Sequence, residues 1–596
     1  MPYAPPVRDV RFVLDHVVGL SALERGGAFP DLSGDLVEAV LEGAGRLCAD
    51  VIAPLNRVGD MNPARLGADG VEATPGFAEA YRAFAEGGWT ALPFDPAHGG
   101  QGLPRTLMLA VQEFLQGSNM ALGLCPLLTQ GAIEALSAHG TKAQKDLYLE
   151  KLISGAWTGT MNLTEPQAGS DVGALRTRAV PRGDGTYAIT GTKIYITWGD
   201  HDMAENIVHL VLARLPDAPI GTKGISLFLV PKYHVKADGT LGERNDVRCL
   251  SLEEKLGIHG SPTCVMEFGG ERGGAIGTLI GEENRGMACM FTMMNNARLN
   301  VGVQGLGVAE HAFQLALAFA QDRRQGKPFG RSHSQAEMVP IFEHPDVRRM
   351  LMTMKSSIAA MRAVCYATAM AADLAHAGGD EAERAAARAR EEVLTPIAKA
   401  WVTDLGVELT SLAVQVYGGM GYVEETGIAQ MLRDARICPI YEGTNGIQAI
   451  DLATRKLSLE GGQALRALIA EAAQAGAALE GEADPGLAAA GRALGEAAGR
   501  ADDVAGYFLE RLRQSPDDVL AGATPFLRLM GALTGGGLLA RGLLAARKAG
   551  ADDLPARIAT TVFFCTQLLP PAAAQADAAR AGADILFALG ADDLAA

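Results

Sequence analysis

One carboxylate in this sequence stands where it could do chemistry. Glu442 lies in Ile437-Cys-Pro-Ile-Tyr-Glu-Gly-Thr-Asn-Gly-Ile-Gln448, between apolar residues and a Gly-Thr-Asn-Gly turn. Desolvation by Ile440 and Tyr441 would raise its pKa, and a carboxylate so tuned can remove a weakly acidic proton near neutral pH. The same residue also fits a helix cap or a plain turn. A second stretch is Met161-Asn-Leu-Thr-Glu-Pro-Gln-Ala-Gly-Ser-Asp171, where Thr164 and Ser170 flank a Pro/Gly loop. Exposed N–H groups in such a loop can bind an anion or a polar ring edge, although it also fits an ordinary linking loop. Gly305-Leu-Gly307 is a fragment of a phosphate-loop pattern, but no strand precedes it, so helix packing is expected there. There is no G-x-S-x-G elbow and no H-E-x-x-H pair, and the 11 histidines are scattered, so no metal site is expected.

Positioning such residues takes several elements, and 596 residues suffice for three or four domains. Residues 1–158 read mainly as helix, with Leu36, Val37, Val40 and Leu41 at helical spacing. From 159 to 282 the pattern turns to strands: Tyr187–Thr197, Ile207–Ala213, Gly224–Val230, Val247–Leu250 and Cys264–Phe268. Short strands at this spacing suggest a small barrel or sandwich. Residues 283–456 return to helix: Met287–Asp322, a helix opened by His344-Pro345-Asp346, and one from about Glu381 to Tyr417. Residues 457–596 read as a further helical domain. The apolar run Phe526–Ala546 is broken by Arg528, Arg541 and Gly535–Gly537, which suits a buried helix and not a membrane span.

Bulk properties narrow the function classes. The net charge is −17, a poor footprint for nucleic acid, and aromatics are only 6%, too few for a base-stacking platform. The eight cysteines form no CxxC pair, which argues against a zinc ribbon and for a reducing compartment. The N-terminus has no apolar h-region. A cytoplasmic protein is expected.

Taken together and in order, five stretches resemble the flavin-dependent acyl-CoA dehydrogenases. They are Pro96–Leu103, Met161–Asp171, Lys193-Ile-Tyr-Ile-Thr-Trp-Gly199, Arg298–Gly307 with Asp322-Arg323 and Pro328-Phe-Gly330, and Gln415-Val-Tyr-Gly-Gly-Met-Gly421 leading through Arg433-Asp-Ala-Arg436 to Tyr441-Glu-Gly-Thr444. The similarity spans about residues 30–455. The Met-Pro-Tyr opening, the His344–Leu351 run and the extra C-terminal region resemble a longer bacterial subgroup. That subgroup includes enzymes for 3-methylmercaptopropionyl-CoA and for medium- and long-chain acyl-CoAs.

The resemblance implies a mainly α fold with a central β-barrel: an N-terminal helical domain, a β domain, a C-terminal four-helix bundle and an additional helical domain. It implies oxidation of a saturated acyl-CoA to the trans-2-enoyl-CoA. Glu442 would take the proton beside the thioester carbonyl while hydride passes from the next carbon to flavin N5. It places FAD against Met161, Leu163, Thr164, Gly169, Ser170, Tyr195, Ile196, Thr197, Thr444 and Gly446. Arg323, Phe329, Gln415, Gly418 and Gly419 would reach FAD across a homodimer. It places acyl-CoA against Ser170, Arg298, Asn295, Tyr441 and Gly443, and it implies electron-transfer flavoprotein as acceptor. An acyl-CoA oxidase-like enzyme would carry much the same motifs.

Overall fold

The computed structural model describes residues 3–25, 27–327 and 338–596. It forms two compact units, Val40–Asn300 and a second made of Tyr3–Ala39 with Val301–Ala596.

In the first unit, helices Phe77–Glu86, Arg105–His139 and Lys142–Ile153 precede the strands of the main sheet. The Arg105–His139 helix carries Pro126 and departs from helical geometry at Asn119 (φ −160°, ψ 92°). A hairpin, β1 (Arg65–Leu66) and β2 (Val71–Glu72), stands apart, as does the pair β8 (Tyr233–Val235) and β9 (Leu241–Arg244). The main sheet contains β3 (Trp157–Asn162), β4 (Arg178–Pro181), β5 (Tyr187–Thr197), β6 (Asn206–Ala213), β7 (Ser226–Pro231), β10 (Val247–Leu252), β11 (Thr263–Phe268) and β12 (Ala275–Ile280). Its order is β10-β11-β5-β12-β7-β6-β3, with β4 beside β5.

The expected barrel is not observed: among the described residues β10 and β3, the ends of this order, do not pair. On the β3 edge, Gly159 N–H donates to Thr129 Oγ1 of the Arg105–His139 helix at 3.1 Å, not to another strand. A Cβ on Gly159 would sit 2.4 Å from Ala132 Cβ, so that helix lies directly on the strand. At the other end, β10 shifts register between Cys249 and Ser251, and such bulges commonly terminate pairing at an edge. Strands β6 and β7 are buried along their whole length, which explains why their apolar residues run on without polar alternation apart from Asn206, His209 and Ser226.

In the second unit, helices Pro345–Ala377, Glu381–Pro396 and Val402–Tyr417 pack with Gln463–Glu480, Pro485–Gln514 and Pro516–Ala549. Pro345 sits in the first turn of its helix, where its missing N–H costs nothing. The N-terminal segment joins this unit, although helical pattern alone groups it with residues up to 158. An ionic cluster explains why. Asp9 accepts from Lys355 Nζ at 2.6 Å and from Arg557 Nη1 at 2.8 Å, with Arg362 at 4.0 Å. Burial opposes the Asp9 charge, but the three cations hold its carboxyl well below the usual range.

A depressed carboxylate stabilises the fold above its unfolded pKa of about 4 and loses that contribution as acid protonates it. Asp9→Asn is expected to lower unfolding free energy by about 2–3 kcal/mol at pH 7. The gap to wild type should narrow below pH 4. Urea unfolding at pH 7 and pH 3 checks this, and a gap independent of pH would contradict it.

Three helices among the described residues are long and apolar enough to cross a bilayer: Arg105–His139, Pro345–Ala377 and Pro516–Ala549. Yet 94%, 89% and 83% of their most apolar windows are buried inside the protein. All eight cysteines are free thiols, seven of them buried.

Candidate active site

In the second unit Glu442 is carried by a loop held on a tight helix crossing. A Cβ on Gly302 would lie 2.4 Å from Ala398 O, and one on Gly406 would lie 3.0 Å from Gly305 Cα. Only glycine permits this approach, and Gly305 thus serves helix packing as its pattern suggested. The crossing leaves Gln304 fully buried beneath the loop, where its Oε1 accepts from the Tyr441 hydroxyl. Burial, with Cys438 and Glu442 nearby, pushes the Tyr441 phenol far above its ordinary pKa, so it remains a donor.

The loop closes on itself through Asn445 N–H to Pro439 O at 3.0 Å. Thr444 Oγ1 then caps the Asn445–Asp451 helix by accepting from Ile447 N–H at 3.3 Å. Inside the loop Glu442 and Gly443 both have positive φ, 57° and 85°. Glycine adopts this freely, whereas a residue with a Cβ does so at a cost. One expectation needs correction. Ile440 is 49% exposed, so within the described residues it is not the buried neighbour that the sequence suggested. Glu442 and Tyr441 are half-buried.

The Val402–Tyr417 helix ends at Gly418 (φ 60°, ψ −139°). Tyr417 anchors that end by stacking on Phe319 at 4.1 Å between centroids and donating to Leu315 O at 3.3 Å. Beyond it, a Cβ on Gly418 or Gly419 would meet no heavy atom within 4 Å. Packing within the chain therefore does not demand glycine at these positions. Gln415 and Arg323 are exposed, as is Gly446. Phe329 lies outside the described residues.

In the first unit a second set of residues gathers where β3 leads into the Met161–Asp171 loop beside β5. Thr164 O accepts from Ile194 N–H at 2.9 Å, tying loop to strand. Tyr195 has φ 59° and is 60% exposed, a flat face open to solvent. Met161, Thr164 and Thr197 are half-buried, and Gly169 and Ser170 are exposed. Leu163 and Ile196 are buried in the core instead. At Tyr195 β5 breaks its regular alternation, with a register shift against β11 between Ile196 and Lys193, so that Lys193 and Ile196 are both buried while Tyr195 is exposed. Arg298, buried, reaches Asn295 Oδ1 at 3.4 Å and lies 5.9 Å from the Phe291 ring, while Asn295 is exposed.

Comparison with known proteins decides the family. Residues 38–156, 160–270 and 284–457 match the N-terminal, middle and C-terminal domain models of acyl-CoA dehydrogenase. Residues 464–590 match a model described as acetyl-CoA dehydrogenase C-terminal like. The chain is 48% identical over 583 residues to the 3-methylmercaptopropionyl-CoA dehydrogenase of Ruegeria pomeroyi, covering 96% of this chain and 97% of that one. The chain belongs to the acyl-CoA dehydrogenase family. It is also 35% identical to a broad-specificity linear acyl-CoA dehydrogenase of Mycobacterium tuberculosis, over 95% of this chain and 96% of that one. The fold matches that of a Bacillus anthracis acyl-CoA dehydrogenase solved with FAD, at TM-score 0.74 and 21% identity, covering 94% of this chain and 90% of that one.

Membership makes this chain an oxidoreductase with FAD as its cofactor, and the residues present fit that group. Gly418 and Gly419 leave open space where a phosphate can approach backbone. Tyr195, 60% exposed, offers an aromatic face to solvent.

Several residues of this dehydrogenase escaped the sequence reading. Lys193 is fully buried on β5, and its Nζ meets Glu165 Oε1 at 2.8 Å. Glu165 also accepts from Thr177 Oγ1 at 2.6 Å and from the N–H groups of Arg176 and Thr177 at 2.6 and 3.0 Å. The signal was a lysine inside a strand otherwise fit for burial. Gln304, Lys399 and Asp404 gave no local signal, because their partners are about 40 or more residues away in sequence.

Proposed function

We propose that this acyl-CoA dehydrogenase oxidises 3-methylmercaptopropionyl-CoA to its trans-2-enoyl thioester. The supporting observation is the 48% identity, nearly end to end, with the Ruegeria enzyme of that name. The reaction removes one hydrogen from each of the two carbons next to the thioester carbonyl and forms a C=C bond between them.

FAD, when bound, supplies the two-electron acceptor for the β-carbon's C–H bond. In the first unit Met161, Thr164, Tyr195 and Thr197 are proposed as contacts to its ring system; in the second, Thr444 and Gly446 are proposed as further flavin contacts, with Arg323, Gln415, Gly418 and Gly419 for its phosphates and adenosine. The Glu442 carboxylate takes the α-proton. Its own backbone N–H would donate to the thioester oxygen as negative charge grows there, an interaction strongest in the transition state. Tyr441, held by Gln304, keeps the loop from turning the carboxylate away. Ser170, Arg298 and Asn295 would orient the CoA arm.

The reading extends to a cytoplasmic homodimer that passes electrons to electron-transfer flavoprotein. Exposed Met420, Tyr422 and Val423, directly after the glycine loop, support a second copy covering that face.

Anaerobic flavin bleaching with 3-methylmercaptopropionyl-, butyryl-, octanoyl- and palmitoyl-CoA tests the substrate. The methylthio substrate should give the highest kcat/KM. A preference of more than tenfold for octanoyl- or palmitoyl-CoA would overturn this reading in favour of a fatty-acyl enzyme. Rapid reoxidation in air with stoichiometric peroxide would mark an oxidase.

A further inference from the structure

Glu442 and Gly443 form two consecutive left-handed residues, and three positions after the glutamate comes Asn445. The Asn445 side chain is bonded on both sides. Its Oδ1 accepts from Lys399 Nζ at 2.8 Å. Its Nδ2 lies 2.7 Å from Asp404 Oδ1, 3.0 Å from Thr403 Oγ1 and 3.0 Å from Ala400 O. An asparagine is suited to bridge an ammonium and a carboxylate at one point, since it carries an acceptor and donors on a short stem. Lys399 is fully buried.

The platform beneath is equally fixed. Lys399 and Ala400 belong to the Ile397–Trp401 turn, and Trp401 packs so closely on the Pro516–Ala549 helix that a Cβ at Gly531 would come within 2.2 Å of its ring. The additional C-terminal region thus buttresses the turn that grips Asn445.

We propose that Asn445, clamped between Lys399 and Asp404, is the positioning residue that holds Glu442 in its left-handed geometry for α-proton removal. The proposal rests on Glu442 being the base. Asn445 acts through the loop, which its N–H also closes on Pro439 O. An unclamped loop can relax the Glu442 backbone and carry the carboxylate off its line. Misplacing a reacting group by about 1 Å costs on the order of 100-fold in rate.

The test uses FAD-loaded enzyme and whichever acyl-CoA bleaches wild type fastest. Asn445→Asp keeps the acceptor for Lys399 but sets a carboxylate against Asp404. Stopped-flow flavin reduction is expected to slow by roughly 10- to 100-fold, with FAD content and acyl-CoA affinity within about twofold of wild type. The exchange pair Asn445→Asp with Asp404→Asn restores a donor facing an acceptor and should recover the rate to within about fivefold. If Asn445→Asp does not fold, Asn445→Ser is measured instead against the same expectations. Reduction within about twofold of wild type, a loss that only follows FAD loss, or no recovery in the exchange pair would overturn the positioning role. Glu442→Gln, run in parallel, separates the two ideas: if it stays active, the base assignment fails; if it is dead while the Asn445 variant is normal, only the clamp fails.

Discussion

Glu442→Gln is expected to cut flavin bleaching by acyl-CoA by roughly 10²–10⁴-fold or more, while the purified variant stays yellow. The amide keeps the size and shape of the carboxyl but cannot accept the α-proton. Packing should change little, because Glu442 is only half-buried and the loop is held by others: Tyr441 on Gln304, Thr444 as cap, and Asn445 on Lys399. Left-handed geometry at a residue with a Cβ costs about 1–3 kcal/mol and persists where surrounding contacts impose it. Here contacts at Tyr441, Thr444 and Asn445 hold the course of the loop around the glutamate. FAD content by absorbance, acyl-CoA affinity and single-turnover reduction are the measurements. Reduction within a few-fold of wild type would place the base elsewhere.

How much of this was legible beforehand follows from the range over which each feature is encoded. The Tyr441–Thr444 loop and the Met161–Asp171 loop are local, and their order along the chain carried the family. Strand β5 matched its expected span, Tyr187–Thr197, because β-branched and aromatic residues alternate there. Strand β3 was missed: Trp157–Asn162 is short, contains Gly159, and pairs in parallel with β6, so no alternation marks it. Whether the sheet closes was not legible either, since it depends on pairings at the β3 edge, where Gly159 meets Thr129 from 30 residues away. The N-terminal segment was grouped with residues up to 158 because helical period says nothing about which helix it packs on; Asp9 finds partners 346 and 548 positions later. Ile196 and Leu163 show a related limit. A motif match names a segment, whereas the local backbone and packing decide which of its side chains leave the core.

The largest stability effect should come from the buried pair behind the loop, in Glu165→Gln. Burial alone would raise the Glu165 carboxyl, but Lys193 with Thr177 and the Arg176 N–H holds it down to about 2. Replacing it with an amide leaves the Lys193 ammonium fully buried beside a neutral partner. Removing one member of such a pair typically costs about 3–5 kcal/mol, mostly the penalty of the stranded charge. Trp157 and Trp198 are both buried in the same unit, so tryptophan fluorescence in urea reports the loss. The pH dependence has a definite sign. A depressed carboxylate contributes fully above its unfolded pKa of about 4.3 and loses that contribution as pH falls towards 2. Wild type should therefore weaken across that window, and Glu165→Gln should lack this part of the slope. The paired replacement Glu165→Leu with Lys193→Met removes both charges together and should recover part of the loss, since the stranded ammonium is gone. Glu442→Gln, by contrast, should unfold near the wild-type midpoint. If Glu165→Gln matched wild type in urea, or if Glu165→Leu with Lys193→Met were no better than the single change, the buried pair would not be what anchors the Met161–Asp171 loop to β5.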